Sequence, residues 1–409
     1  MERFFEDPRT ITKFRTGPLG LNMQQLADEL FHLGYTRLSI RVRIQALARF
    51  GCWLKKSSIS LQDLTSAHTK SYVHRYGTVK NGDAKMLRML LELLSRNGLL
   101  HRPIQSPADD SEATRIVGKF LDYLRQQRGL ASGTIKNHRI YVAEFLGYRF
   151  PDGAVDLSKI EAKDLVAFMQ REAARRTPMS ARHMSTILRS FAAYLFSAGM
   201  IDRDLSRSVP TVCCWSLSGI PKALTRKQVT RVLAGCNRKT ATGRRDFAVL
   251  LLLAPLGLRA GEVAALRLKD IDWTAGTLIV SGKGAKESKL PLPHDVGQAI
   301  AVYLCKDRPS VPSNRVFLRI TAPHKGFEGS RAVCTIVKSA LARVDTRFRS
   351  KGAHQFRHTL ATRMLANGAS LLDIGSVLRH EKPKTTFLYA KVDFKALRPI
   401  AKPWPGGVR

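Results

Sequence analysis

The chain has 409 residues and carries 68 Lys and Arg against 32 Asp and Glu, a formal charge of +36, with a sequence pI of about 10.6. That excess is far beyond what solubility needs and makes a polyanion the default partner. A hydrophobic content of 44% over this length argues against disorder and against a short basic packing protein of the ribosomal or chromatin type, and suffices for two or three packed domains. Six cysteines without paired spacing, and no N-terminal apolar signal, predict a reduced, cytoplasmic, nucleoid-associated protein. The apolar run Val249 to Ala254 is too short to span a bilayer.

Breaker-rich stretches at Arg102 to Ser111 and Ser206 to Pro221 divide the chain into residues 1–105, 112–205 and 222–409. The first part reads as a helical domain and as a degenerate copy of the second. Aligning the chain with itself at offsets near 95 to 101 pairs Ile40 with Ile135, Phe50 with Phe145, Leu64 with Ile160 and Tyr72 with Phe168. Further on, Leu87-Arg88 meets Leu188-Arg189, Leu94 meets Leu195 and Gly98 meets Gly199. The middle part shows helical spacing over Val117 to Leu124, Thr134 to Leu146, Ala162 to Ala173 and Ser180 to Ala198.

The last part is the most basic, with 35 Lys and Arg against 12 Asp and Glu. Its run Phe247 to Ala254 predicts a buried helix broken by Pro255 and Gly257. Arg259 then emerges at a turn before a second helix carrying Val263 and Leu266, a place suited to an anion. Thr277 to Val280 and Lys289 to Leu292 flank a glycine-bearing basic turn, predicting a hairpin from which Lys283 projects. In a helix from Ala353 to about Ala366, His354 and Arg357 share one face while Phe356, Leu360 and Met364 line another. Ser370-Leu-Leu-Asp373 reads as a capping box opening a helix with Ile374, Val377 and Leu378 inward, and His380 follows its end. Thr385 or Thr386 would cap the segment bearing Tyr389.

Breaking a phosphodiester without a metal needs a nucleophile, a positive cage for the pentavalent phosphate and an acid for the leaving 5′-oxygen. Arginine forks grip phosphate oxygens in two-point fashion and stay charged, so Arg259 and Arg357 suit the cage. Tyr389 would be the nucleophile and His354 its proton acceptor, with His380 donating to the phosphate. No one of these is informative alone among 68 basic residues and nine tyrosines; their joint order and spacing is. His358 reads as an ordinary packing histidine. The order Arg259, Lys283, His354-Gln-Phe-Arg357, His380 and, nine residues on, Tyr389 resembles the tyrosine recombinases, or phage integrase family, over roughly residues 113 to 397.

That resemblance implies a mainly α fold with a small antiparallel β-sheet: a helical core-binding domain over 112–205 and a mixed α+β catalytic domain over 222–409 that close on double-stranded DNA. It implies strand cleavage through a 3′-phosphotyrosine, with no cofactor and no ATP, since bond energy is conserved. Lys283 would protonate the leaving hydroxyl, and Glu262 would support the site. Lys136, Arg139, Arg189 and Lys286 are candidate DNA contacts. A homotetramer on two DNA sites, exchanging C-terminal segments, is the implied assembly, with sister recombinases as further partners. The tail from Tyr389 to Pro405 looks most like recombinases of bacterial mobile elements.

Three other function classes share part of this pattern. A type IB topoisomerase would share the chemistry but relax supercoils without a specific site. A non-catalytic DNA-binding accessory protein would have lost one of the six positions, and none is lost. Asp270-Ile-Asp272 would serve a metal nuclease as a carboxylate pair, but no third acid stands in a matching context. His354 and His358 lack the glutamate of a zinc-protease motif, and Cys213-Cys214 are adjacent rather than spaced as ligands, so no metal is expected.

Overall fold

The computed structural model describes residues 1–76, 81–100, 111–214, 223–282, 287–344, 352–393 and 397–400. It is mostly helical with one small antiparallel sheet, as expected. Two compact units divide it: residues 1–58 group with the chain from residue 219 onward, and residues 59–218 form the other. Among the described residues, no helix is long and apolar enough to cross a membrane.

Three helices open the first unit: α1 (Pro8–Thr16), α2 (Gly20–His32) and α3 (Arg37–Lys56). Thr36 caps α3 by accepting from the Ser39 N–H at 3.3 Å. Ile40, Ile44, Leu47, Phe50 and Leu54 then recur on one buried face. The turn between α2 and α3 lies against the C-terminal part of the chain, where the His324 N–H donates to the Leu33 carbonyl at 2.9 Å. Gly34 has φ +82° there, and a Cβ on it would fall 1.9 Å from the His324 ring. By its contacts, the stretch Met1–Ser58 that carries these three helices groups with the C-terminal part of the chain.

The second unit holds α4 (Ser66–Arg75), α5 (Asn81–Arg96), α6 (Glu112–Gln126), α7 (Ser132–Arg149), α8 (Ala162–Arg175) and α9 (Pro178–Ser197). Phe120 meets Phe191 edge-on at 5.2 Å and Phe145 meets Phe168 at 5.4 Å, which fixes α6 against α9 and α7 against α8. The elements follow the internal alignment: α2 to α5 correspond in order to α6 to α9. Phe50 and Phe145 are both buried. Both α5 and α9 end on a left-handed glycine, Gly98 at φ +66° and Gly199 at φ +64°. The following N–H groups, of Leu99 and Met200, return to Leu94 and Leu195 at 3.0 and 2.9 Å.

The C-terminal region contains α10 (Arg226–Ala234), α11 (Ala241–Leu253), α12 (Ala260–Ala265), β1 (Ile271–Asp272), β2 (Thr277–Ser281), β3 (Glu287–Pro291), α13 (His294–Lys306), α14 (Ser330–Val344), α15 (His354–Ala366), α16 (Leu371–Leu378) and α17 (Pro383–Thr386). Every residue of α11 from Ala248 to Leu253 is buried, as a helix apolar on all sides requires. The sheet runs β1-β2-β3, with Leu278 opposite both Ile271 and Leu290. Leu278 and Val280 point into the core that α11, α13 and α14 complete.

Candidate functional site

The site begins where α11 stops. Gly257 takes φ +57°, and a Cβ there would lie 2.8 and 2.9 Å from the methyls of Leu360 and Leu378, so only glycine lets the turn sit against α15 and α16. Its carbonyl accepts from Arg357 Nη1 at 2.7 Å, and Arg357 Nη2 donates to the Leu378 carbonyl. Arg357 is 2% exposed. The guanidinium thus ties three chain segments together instead of standing on an open helix face. Two residues beyond Gly257, Arg259 Nη1 donates to Glu262 Oε1 at 2.8 Å, and its Nη2 to the Arg379 carbonyl at 3.2 Å. The buried Glu262 also accepts from the Arg259 N–H and from Arg379 Nη2, both at 2.9 Å.

Arg379 has φ +56° at the left-handed end of α16, and this turns its side chain and carbonyl toward Arg259 and Glu262. The capping box at the other end of α16 forms as expected: Ser370 Oγ accepts from the Asp373 N–H at 3.1 Å, and Asp373 Oδ2 accepts from the Ser370 N–H at 3.1 Å. Ile374 and Leu378 are buried, but Val377 is 44% exposed and faces outward. Ile374 and Leu378 form the buried row of this two-turn helix, and Val377, about 100° round the axis from Leu378, falls on its solvent side.

Tyr389 sits in a 3-10 turn, Phe387–Val392, and is 2% exposed. It packs with Leu360, Ala361, Leu365, Ile374 and Leu378. Its hydroxyl lies 3.0 Å from His358 Nδ1, and its ring is parallel to that of His380 within 5° at 6.4 Å. His380 Nδ1 is 2.8 Å from Thr386 Oγ1, so Thr386 orients this imidazole and does not cap the turn. His354 stands one helical turn before His358, with ring centroids 6.1 Å apart.

The electrostatics are those of a crowded cationic pocket. Burial, then Arg259, lowers the Arg357 pKa to about 10, which still leaves it charged at neutral pH. Burial, then Arg357 and Arg259, drives His380 down to about 4 and shifts His354 in the same direction. Burial, with His354 and Arg357, also lowers His358. All three imidazoles are therefore neutral at pH 7. Burial raises the Tyr389 phenol, and Arg357 pulls it part of the way back. Burial opposes the charge on Glu262, but the Arg259 amide and side chain and the Arg379 charge together hold its carboxyl below the ordinary range.

Arg259, His354, Arg357, His380 and Tyr389, with Glu262, are thus brought to one place from four separated stretches of chain. Lys283 and Lys286 lie outside the described residues. Lys136 and Arg139 are exposed on α7. Arg189 is occupied: its Nη2 donates to the Val209 carbonyl at 3.0 Å and to Thr211 Oγ1 at 2.6 Å, which binds the segment after α9 to that helix. The Asp270 and Asp272 carboxylates accept from turn N–H groups, Asp270 from Arg267 at 2.8 Å and Asp272 from Ala275 at 2.9 Å. Sequence reasoning took His358 for a packing residue and Thr386 for a cap, and it passed over Arg379. His358 had a usable signal, since it lies at i+4 from His354 on one helix face. Arg379 had no such signal, and the contact of Thr386 with His380 had none.

The phage integrase family matches residues 222–396, and its N-terminal SAM-like domain matches residues 117–199. A protein of Sinorhizobium fredii named as an integrase/recombinase, y4rA, is 41% identical over 407 residues, covering 99% of each chain. Tyrosine recombinase XerD of Listeria monocytogenes is 30% identical over 295 residues, 70% of this chain and 97% of that protein. Among solved structures, XerH recombinase bound to its difH substrate after cleavage is similar with a TM-score of 0.55 at 16% identity, over 69% of this chain and 83% of that one. The lambda integrase dimer bound to a core site gives 0.50 at 15%, over 67% and 94%. These two likenesses concern the fold. The chain belongs to the phage integrase family of tyrosine recombinases, enzymes that cleave and rejoin DNA strands.

Proposed function

We propose that this recombinase serves a bacterial mobile element, in integration, excision or transposition, and that Tyr389 is its nucleophile. Tyr389 Oη attacks the scissile phosphate, a 3′-phosphotyrosine forms and a 5′-hydroxyl leaves. Arg259 and Arg357 neutralise the phosphate, and the neutral His354 and His380 donate hydrogen bonds to it. Glu262 and Arg379 hold Arg259 in place. Lys283 remains the candidate acid for the leaving oxygen. The observation that carries this reading is the convergence of both arginines, three imidazoles and the Tyr389 phenol in one pocket. The full-length relative named as an integrase/recombinase supports the mobile-element role.

The partner is double-stranded DNA, contacted through exposed basic helix faces such as that of Lys136 and Arg139. We take the assembly to be a tetramer on two sites, in line with family resemblance, with sister recombinases as further candidates. The internal alignment of residues 1–105 with the middle segment supports a further DNA contact from the N-terminal helices, outside the crossover site.

The test uses the full-length protein and a nicked duplex selected by that protein from a random-sequence pool, so that a cleaved strand fragment escapes and the covalent adduct accumulates. Tyr389→Phe is expected to bind this duplex with unchanged affinity and form no adduct. Adduct formation by the Phe variant would refute the assignment.

A further inference from the structure

The contact between His358 and Tyr389 is the closest approach of an ionisable side chain to the phenol oxygen among the hydrogen bonds of the described residues, at 3.0 Å. The two rings meet edge-on, with centroids 5.7 Å apart and planes at 62°. That arrangement points a ring nitrogen at the hydroxyl, as a proton acceptor must. We propose that His358 receives the Tyr389 proton during strand cleavage, a role that rests on Tyr389 being the nucleophile. In this step Tyr389 Oη forms its bond to phosphorus while its proton passes to His358 Nδ1. The bond from phosphorus to the 5′-oxygen breaks, and the leaving oxygen takes a proton from a separate acid. Resealing runs in reverse: the incoming 5′-hydroxyl attacks phosphorus and gives its proton to that acid, the tyrosyl bond breaks, and His358 returns its proton to Tyr389 Oη.

The surroundings suit the role. The groups that face His358 are His354 and Arg357 from its own helix, Tyr389 from the 3-10 turn and His380 from beyond α16. Burial, with His354 and Arg357 beside it, keeps the imidazole neutral at pH 7, and in the tautomer protonated at Nε2 its Nδ1 lone pair accepts from the phenol. A protonated His358 would add a second positive charge next to Arg357, so the transferred proton has reason to return on resealing. His354, one turn away, is left to face the phosphate. The spacing of four residues puts both imidazoles on one face of α15, which divides the two tasks between them.

The experiment measures single-turnover adduct formation on the selected nicked duplex from pH 5 to 9, with the full-length parent, His358→Ala, His358→Asn and Tyr389→Phe. The parent rate should rise with pH through the His358 pKa, which burial places below the ordinary imidazole value. His358→Ala should lower the rate by about 10²-fold, the usual contribution of one positioned base, and lose that rise. Asparagine places an amide where Nδ1 stood but takes no proton, so His358→Asn should stay as slow and as flat. It also carries the comparison if the alanine variant does not fold. Either variant reacting within about threefold of the parent with the pH rise intact overturns the proposal, and so does full rescue by asparagine. The Tyr389→Phe arm separates the two readings. An adduct there removes the nucleophile itself, whereas its absence together with fast His358 variants removes only the proton acceptor.

Discussion

Arg357 joins a role in the fold to the phosphate-binding role proposed for it. Two of its guanidinium donors are spent on the Gly257 and Leu378 carbonyls, which sets the plane of the fork before any phosphate arrives. Its order with His354 is plain in the sequence, because catalytic spacing within one helix survives translation into space. The i+4 spacing from His354 marks His358 in the sequence, but its contact with Tyr389 is not legible there, since that partner lies 31 residues away on a turn whose path depends on α16 and α17. The neutral histidines give a pH prediction. His380 falls from 6.5 to about 4 on folding, so between these values the unfolded chain binds more protons than the folded one. The stability that neutral His380 contributes is therefore complete above pH 6.5 and is lost as pH falls toward 4. Melting temperature should drop over this window, and His380→Gln should flatten the slope. A parent melting curve independent of pH from 7 to 4.5 would contradict the electrostatic account.

Among the elements, α11, the hairpin strands, α15 and the α16 capping box were all readable from apolar period and cap chemistry. What could not be read was how the short elements meet. Val377 faces out because two turns of helix offer only one buried row, and Thr386 serves His380 because Gly375 admits α17 closely, a Cβ there lying 3.2 Å from Thr386 Oγ1. The turn at Gly257 is the sharpest case. Alanine at this position has to adopt a positive φ and displace two leucine side chains, at a cost of about 1–3 kcal/mol. The same shift moves the carbonyl that holds Arg357. Gly257→Ala should lower the melting midpoint and slow adduct formation more than the lost folded fraction explains. Wild-type stability and rate in this variant would mean that the turn does not position the site.

For the whole molecule, the charge of +36 named the partner class, and the motif order named the chemistry. The three stretches read from breakers and the two units drawn by contacts are different divisions, because linker chemistry does not reveal which surfaces dock. The α2–α3 turn meets His324 through a backbone hydrogen bond that sequence does not encode. Gly34→Ala should push this turn away from His324, since the added Cβ would otherwise lie 1.9 Å from the ring. Limited proteolysis should then cut faster within residues 1–58 while Tyr389 chemistry on a short duplex continues. An unchanged digestion pattern would show that this contact does not hold the N-terminal helices.

Locating the covalent bond tests Tyr389 as the nucleophile most directly. After reaction of the full-length protein with the nicked duplex in EDTA, followed by nuclease and trypsin, mass spectrometry should find a 3′-phosphonucleotide on the peptide Thr385 to Lys391, in which Tyr389 is the only tyrosine. An adduct on any other residue, or cleavage that appears only when a divalent cation is restored, would contradict it.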